Sequence, residues 1–489
     1  MMVSLLPVWA VLTPVLGLCA LLLCERWIRP ERVAAPFVGL SLYLSLSMTY
    51  QVMTSQAPLV YALGGWLPPL GLTLRADGVG VFLMTLTALV MTGVAVCAWT
   101  PSEGASSRGR FSFWALLLAL WSALNLAFTA QDLFNFFVAL EMLSFAAVAL
   151  VALDGTRGAL VAALRYLLFA LAGSILYLLG VGLIYGRYAV LDLAGLREIA
   201  QPDTVTLAAL ALMTVGLMAK TALFPLHLWL PPAHAGAPAP ASAMLSALVV
   251  KAPFLIILRL WVDLLPLPAA APQQIMAGLG AAAILVCSVI ALRQQRLKLM
   301  IAYSTLAQVG YLFLMFPLMP GPAPWQDIGW TGGLLQLASH GFAKAAMFLA
   351  AGLIYEALGH DRVAELGGLA RRQPVTLAAF AIAGLSLMGL PPSGGFIAKL
   401  LLLTAAVEAG AWWIAAVILA GGILAAFYVF RALGHALADG DPPVAPVALY
   451  RQGAVLALAL CALAIGFVPL RPFALLAIGR PLEALEALP

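Results

Sequence analysis

The chain has 489 residues, 64% of them hydrophobic and only 9% charged, whereas an ordinary soluble domain carries about 25% charged residues. Its apolar runs reach about 20 residues, twice the length of the alternating segments of an outer-membrane barrel. Composition therefore excludes a soluble enzyme and a β-barrel and points to an all-α integral membrane protein; the formal charge of +5 gives no sign of nucleic-acid binding.

In chain order, about fourteen runs are long enough to cross a bilayer, near 4–24, 34–53, 78–98, 111–129, 133–152, 160–184, 205–229, 240–262, 273–292, 299–317, 330–355, 375–404, 410–433 and 452–472. The first has no basic segment before it and reads as a span rather than a cleaved signal peptide. The loop from Ser55 to Asp77, rich in Gly, Pro and aromatic residues, predicts a turn-rich cap on the non-cytoplasmic face. Arg26, Arg29 and Arg32 follow run one, Arg108 and Arg110 run three, Arg157 run five, Arg293, Arg296 and Lys298 run nine, and Arg362, Arg371 and Arg372 run eleven. Cytoplasmic loops carry the excess of Lys and Arg. Both termini are therefore expected on the non-cytoplasmic side of a bacterial inner membrane.

Runs seven and twelve are broken. Prolines at 225, 231, 232, 238 and 240 interrupt the stretch after Lys220, and Met388–Leu400 reads MGLPPSGGFIAKL. Proline inside a helix removes a backbone donor and clashes with the preceding turn. Runs four to eight and nine to thirteen each contain a broken helix as their fourth member. Five spans is an odd number, which predicts two inverted five-helix repeats, an architecture of transporters. The expected divisions are helices 1–3 over 1–110, the first repeat over 111–265, the second over 266–436, and a last helix and tail over 437–489.

Twenty of the basic residues are Arg and five are Lys, and four of those lysines, Lys220, Lys251, Lys344 and Lys399, lie inside predicted spans. Arg stays charged everywhere, whereas Lys gives up its proton readily when buried. Glu141 lies mid-way along Asp132–Leu153, where an insertion cost of about 2.5–3.5 kcal/mol demands a partner or a wet cavity. Lys220, before the first break, is the expected partner. Attraction to the carboxylate and loss of hydration act on its charge in opposite directions. The alternative for this pair is a static link between two helices. His227, His234 and His340 lie in or beside spans, as relay or gate groups or as satisfied core histidines. His340 and Lys344 are four residues apart and share a helix face. Tyr303, Ser304, Thr305 and Gln308 are polar enough to hold water. The five cysteines have no metal-like spacing, and no phosphate-binding loop or iron–sulfur motif is present, so no cofactor and no metal is expected.

These residues resemble the proton-translocating antiporter-like subunits shared by respiratory complex I, membrane-bound hydrogenases and multisubunit Mrp-type cation/proton antiporters. The motifs are DLFNFFVALE ending at Glu141, KTALFPLHLWLPPAHAGAP from Lys220, RLKLMIAYSTLAQVGY over 296–311, SHGFAK ending at Lys344 and GLPPSGGFIAK ending at Lys399. The resemblance implies fourteen helices with breaks in the seventh and twelfth. It makes Glu141 and Lys220 the interacting pair of the first half-channel. Lys251, His340 and Lys344 become the centre, and Lys399 the terminal proton site. SHGFAK together with Lys399 looks most like the D-type branch of Mrp antiporters. Pro232 stands where the family commonly has Asp, and Ala252-Pro253 replaces a glycine-containing pair, implying a kink in span eight near Lys251.

The reading that follows is H⁺ movement along a buried Glu/Lys/His axis. Na⁺ or another monovalent cation would be handled through the complex, and the partners would be other membrane subunits and the lipid bilayer. Proton pumping within a complex I-like or hydrogenase-like redox assembly would give nearly the same sequence. A b-type cytochrome using His227, His234 or His340 and a non-transporting scaffold are the readings from other classes.

Overall fold

The computed structural model describes residues 5–68, 70–99, 107–264, 270–319, 325–440, 445–467 and 471–479. The helices are α1 (Leu6–Cys24), α2 (Pro30–Ser55), α3 (Gly78–Cys97), α4 (Ser107–Thr129), α5 (Leu133–Val151), α6 (Arg157–Tyr188), α7 (Leu193–Ile199), α8 (Thr204–Thr221), α9 (Leu230–Gly236), α10 (Ala239–Met244), α11 (Lys251–Arg259), α12 (Ala270–Arg293), α13 (Leu297–Phe313), α14 (Trp325–Leu358), α15 (Leu369–Arg372), α16 (Pro374–Met388), α17 (Gly394–Glu408), α18 (Trp412–Leu437) and α19 (Leu449–Ala464). Among the described residues, thirteen helices are long and apolar enough to cross a membrane. The halves α16 and α17 form a further, broken crossing. The chain is a multi-pass helical membrane protein. The span Ala239–Val262 is buried throughout 241–260 and α13 and α14 are nearly so, while α1, α2, α6, α18 and α19 keep apolar faces open.

Helix starts are written into the sequence. Asp77, Asp132, Thr156, Asp192, Asp203 and Ser393 are N-cap residues whose side chains accept from backbone N–H groups of the first turn. At Asp203 the Thr206 backbone N–H, with help from Arg187, holds the carboxyl down at about 2. Close approaches use glycine: a Cβ on Gly216 of α8 would lie 2.3 Å from the carbonyl oxygen of Gly173 on α6. A Cβ on Gly310 of α13 would lie 2.4 Å from that of Gly280 on α12. Small residues at such crossings let membrane helices pack backbone to backbone.

Two features differ from the sequence expectation, and a third gives an expected kink its form. The 55–77 loop contains an antiparallel hairpin, β1 (Leu59–Ala62) and β2 (Thr73–Ala76), in the register Leu59–Ala76 to Ala62–Thr73. Strands of four residues give too short a pattern to stand out from turns. Lys298, expected among the loop cations, is partly buried in the first turn of α13 and its ammonium donates to the carbonyl of Ala237. The span holding Lys251 contains two π-helical turns, Leu245–Val249 and Leu260–Leu264. The first agrees with a distortion near Pro253, which has no N–H to offer the carbonyl of Val249.

One backbone arrangement occurs twice. Leu133 N donates to Leu191 O and Leu193 N to Gln131 O, around the antiparallel bridge Asp132–Asp192. Leu297 N donates to Asp361 O and Val363 N to Gln295 O, around the bridge Arg296–Arg362. In each case the residue before one span pairs with the residue after the next. The loops at Asp132 and Arg296 are thereby fixed at the foot of the helices that carry Glu141 and Gln308.

Arg259, at the end of α11, forms a buried ion pair with Asp77, the N-cap of α3, at 2.6 Å. Beside it the segment 471–479 is tied down: Gly78 N donates to Ile478 O at 3.0 Å, Arg75 to Gly479 O at 2.7 Å and the Trp330 indole to Leu476 O at 3.0 Å. Nothing in the sequence marks this pair, because both members sit at span ends, where charge is ordinary. Removing one member of a buried pair costs about 3–5 kcal/mol. Arg259→Leu is expected to lower the thermal unfolding temperature of the purified protein. Arg259→Leu with Asp77→Asn should recover most of the loss, because Asn still caps α3. A single variant as heat-resistant as the parent would remove this pair from the stability account.

Candidate functional site

The first charged pair is built at a helix break. Ala222, with φ 59°, ends α8 in the left-handed region, so Lys220 sits in the last turn, where a helix carries partial negative charge. Its Nζ lies 3.0 Å from Glu141 Oε1 on α5 and 2.9 Å from Ser144 Oγ. The Ser174 hydroxyl on α6 donates to the same Oε1. Lys220 is buried, while the Glu141 side chain is 17% exposed, so this pair reaches the outer surface of the bundle through its carboxylate. The Gly173–Gly216 crossing draws α6 and α8 together here; a Cβ on Gly173 would lie 3.3 Å from Lys220 Cγ. The Trp229 indole donates to Ala219 O at 2.9 Å and stacks on Tyr166 with ring centroids 4.0 Å apart, closing the break.

The centre is more deeply enclosed. Lys251, 1% exposed, folds back on the π-turn and donates to Ser246 O at 2.6 Å. Ser246 Oγ and Thr305 Oγ1 are 2.8 Å apart, and Thr305 donates to Ile301 O at 3.0 Å. Lys344 reaches the same carbonyl at 3.0 Å and donates to the Ser304 hydroxyl. Lys251, on the Ser246 carbonyl, and Lys344, on the Ile301 carbonyl, thus flank the hydroxyl pair of Ser246 and Thr305. His340, one turn from Lys344, lies within electrostatic reach of Lys251, Lys344 and Lys399, and neither ring nitrogen has a hydrogen-bond partner among the described residues.

Lys399 sits on the second break. α16 ends at Met388, and the left-handed Gly389, with φ 82°, turns the chain so that the last carbonyls lose their helical partners. Lys399 Nζ donates to Leu387 O at 2.6 Å and lies 4.5 Å from the centroid of the Tyr311 ring. Gln308 Nε2 donates to Leu387 O as well, at 3.1 Å, and Gln336 Nε2 donates to Gln308 Oε1 at 2.8 Å. Among the described residues, Lys251, Lys344 and Lys399 have no carboxylate within ion-pair distance; Glu141 and Lys220 form the lysine–carboxylate pair.

The remaining histidines stand apart from this line of contacts. His234 on α9 is fully buried, stacked on Phe348 at 4.5 Å, with both nitrogens unpartnered among the described residues and the charges of Lys298 and Lys344 nearby. His227 lies in the first break against Phe224 at 5.2 Å. The structure thus brings Glu141 to Lys220 and Lys251 to Lys344, and sets Lys399 behind two amides. Ser144, Ser174, Ser246 and Gln336 carry no signal in the sequence, since isolated polar residues in apolar helices are common links between spans. No group of three His, Cys, Asp or Glu that could hold a metal is present among the described residues.

Residues 130–425 match the family described as NADH:quinone oxidoreductase/Mrp antiporter, transmembrane. The chain is 37% identical over 390 residues to the N-type subunit of NADH-quinone oxidoreductase from Desulforudis audaxviator, covering 79% of this chain and 76% of that protein. It is 29% identical over 415 residues to the D-type subunit of the Na⁺/H⁺ antiporter from Alkalihalophilus pseudofirmus, covering 83% and 81%. The Mrp complex of Dietzia sp. contains a chain of the same fold, with TM-score 0.89 and 24% identity over 100% of this chain and 99% of that one. Both activities in the family's name thus appear among the relatives. The chain belongs to the NADH:quinone oxidoreductase/Mrp antiporter family of transmembrane proteins.

Proposed function

We propose that the chain is the proton-translocating subunit of a multisubunit cation/proton antiporter in a bacterial inner membrane. H⁺ moves laterally along Glu141, Lys220, Lys251, Lys344 and Lys399, with His340 in the relay and His234 and His227 as gate or relay groups. Both termini lie on the non-cytoplasmic side, and other membrane subunits complete the assembly. The observation that carries this reading is the Glu141–Lys220 contact at 3.0 Å, an acid and a base held together within two spans by the hydroxyls of Ser144 and Ser174. A buried pair of this kind gains little for stability over apolar residues of the same size. As a pair that can share or release a proton it has a use. The paired bridges at Asp132–Asp192 and Arg296–Arg362, each followed by a broken helix, support division into two repeats of five spans. Na⁺ favours oxygen ligands, and a line of ammonium groups would repel it, so the counter-ion is assigned to another part of the complex.

A second reading, proton pumping in a redox complex, is favoured by the 37% identity to a protein named as a quinone oxidoreductase subunit. The same residues would act; only the source of energy would differ. In neither case does the chain make or break bonds other than those to protons.

The test is transport in inverted vesicles that carry the chain with its natural neighbours and lack other antiporters. Na⁺-dependent dissipation of a pH gradient is expected. Glu141→Gln or Lys399→Ala should lower it by about a hundredfold, the usual scale for loss of a proton-transfer group. Full activity of either variant in an assembled complex would defeat the proposal. Respiration-linked pumping without cation dependence would select the redox reading. Lys220→Met is also expected to reduce transport; adding Glu141→Gln to it should recover thermal stability but not transport, since the double change removes the unpaired buried charge along with the relay.

A further inference from the structure

We propose that Gln308 and Gln336 form a proton barrier that separates Lys399 from the Lys251–His340–Lys344 cluster. This rests on the proton-translocation reading and adds to it a place where conduction stops. On one side of the dyad stand groups that can both take up and give up a proton, ammonium, imidazole and the hydroxyls of Ser304, Thr305 and Ser246, set among the accepting carbonyls of Ser246 and Ile301. On the other side stands Lys399. From the dyad to Lys399 the hydrogen bonds run Gln336 Nε2 to Gln308 Oε1 at 2.8 Å, then Gln308 Nε2 to Leu387 O at 3.1 Å, with Lys399 Nζ on the same carbonyl at 2.6 Å.

A carboxamide is a poor wire. Its oxygen accepts and its nitrogen donates, but the nitrogen has no available lone pair with which to take a proton. The orientation of Gln308 is set by its surroundings. Were it reversed, its oxygen would face the carbonyl oxygen of Leu387, acceptor against acceptor. The end turned toward Lys399 is therefore an N–H end, and an ammonium at Lys399 meets only donors and a backbone carbonyl there. The dyad is buried, with Gln308 1% and Gln336 2% exposed, so neither amide is in contact with bulk water.

The same place holds the means of opening. Gln336 Oε1 and both nitrogens of His340, one turn along α14, are buried without partners among the described residues. Buried polar atoms are ordinarily satisfied. Water drawn to these three atoms would bridge His340 toward Lys399 around the amides, and its arrival is the step that the barrier controls. The barrier keeps the two ends of the axis from equilibrating when nothing drives them.

The test reads passive leak rather than driven transport. Vesicles carrying the assembled complex are given a pH gradient with no Na⁺ and no respiratory substrate, and its decay is followed. Gln308→Glu, alone and combined with Gln336→Glu, puts a group that accepts a proton on one oxygen and releases it from the other in the path. Each should speed decay by about tenfold or more. Gln308→Met and Gln336→Met should not, because a thioether carries no proton. Adding Lys399→Ala to either Glu variant should return the leak to the parent rate. Decay at the parent rate in an assembled Glu variant would overturn the barrier, as would equal leaks in Glu and Met variants, which would mark mere loosening. Lys399→Ala alone separates the two hypotheses: if it abolishes driven transport while the Glu variants do not leak, the translocation reading stands and the barrier falls. If it leaves driven transport intact, the translocation reading is what fails.

Discussion

Inside a bilayer every backbone N–H and C=O must find a partner within the protein. A broken helix defeats the ordinary solution, and both breaks here are repaired by side chains. At the first, the Trp229 indole takes the carbonyl of Ala219. At the second, the carbonyl of Leu387 takes the Lys399 ammonium and the Gln308 amide together. The π-turn in the span between them is a milder case, in which Lys251 covers the carbonyl of Ser246. In two of these three places the repair group is a lysine. The cost of irregular backbone and the cost of a buried cation are thus met by one contact.

That arrangement explains how three lysines persist without counter-ions among the described residues. Each ammonium is received by carbonyl or hydroxyl oxygens, with an aromatic face added at Lys399. Such contacts hold a cation less firmly than a carboxylate does. Only at Lys220 is a full negative charge supplied, and there Ser174 donates to the carboxylate while Ser144 accepts from the ammonium. The chemistry is therefore uneven among the four lysines, with a strong site at Lys220 and weaker ones at Lys251, Lys344 and Lys399.

Much of this is legible in the sequence, for a physical reason. A charge in an apolar run is conspicuous because it is expensive, so Glu141 and the four lysines stand out, and prolines mark both breaks. The spacing of His340 and Lys344 puts them on one face. Other features carry no such signal. Ser174 and Ser144 look like any serine in a membrane helix until Lys220 arrives from another span. Gln336 gains meaning only from Gln308, which belongs to a neighbouring helix. The hairpin strands are too short to show a period. Lys298 follows two loop arginines and reads as a third loop cation, and only the fold shows it bonded to Ala237, the residue just after α9.

The twice-used backbone bridge offers a ruler. Counted from Asp132, Glu141 is the ninth residue onward and Ser144 the twelfth; counted from Arg296, the same steps fall on Thr305 and Gln308. Ser144 touches Lys220, and Gln308 shares a carbonyl with Lys399. The position that holds an acid in one copy of the frame holds a neutral hydroxyl in the other. The two matching frames are thus charged unequally, and on the proposed reading a proton would travel between them along an electrical slope with its negative pole at Glu141.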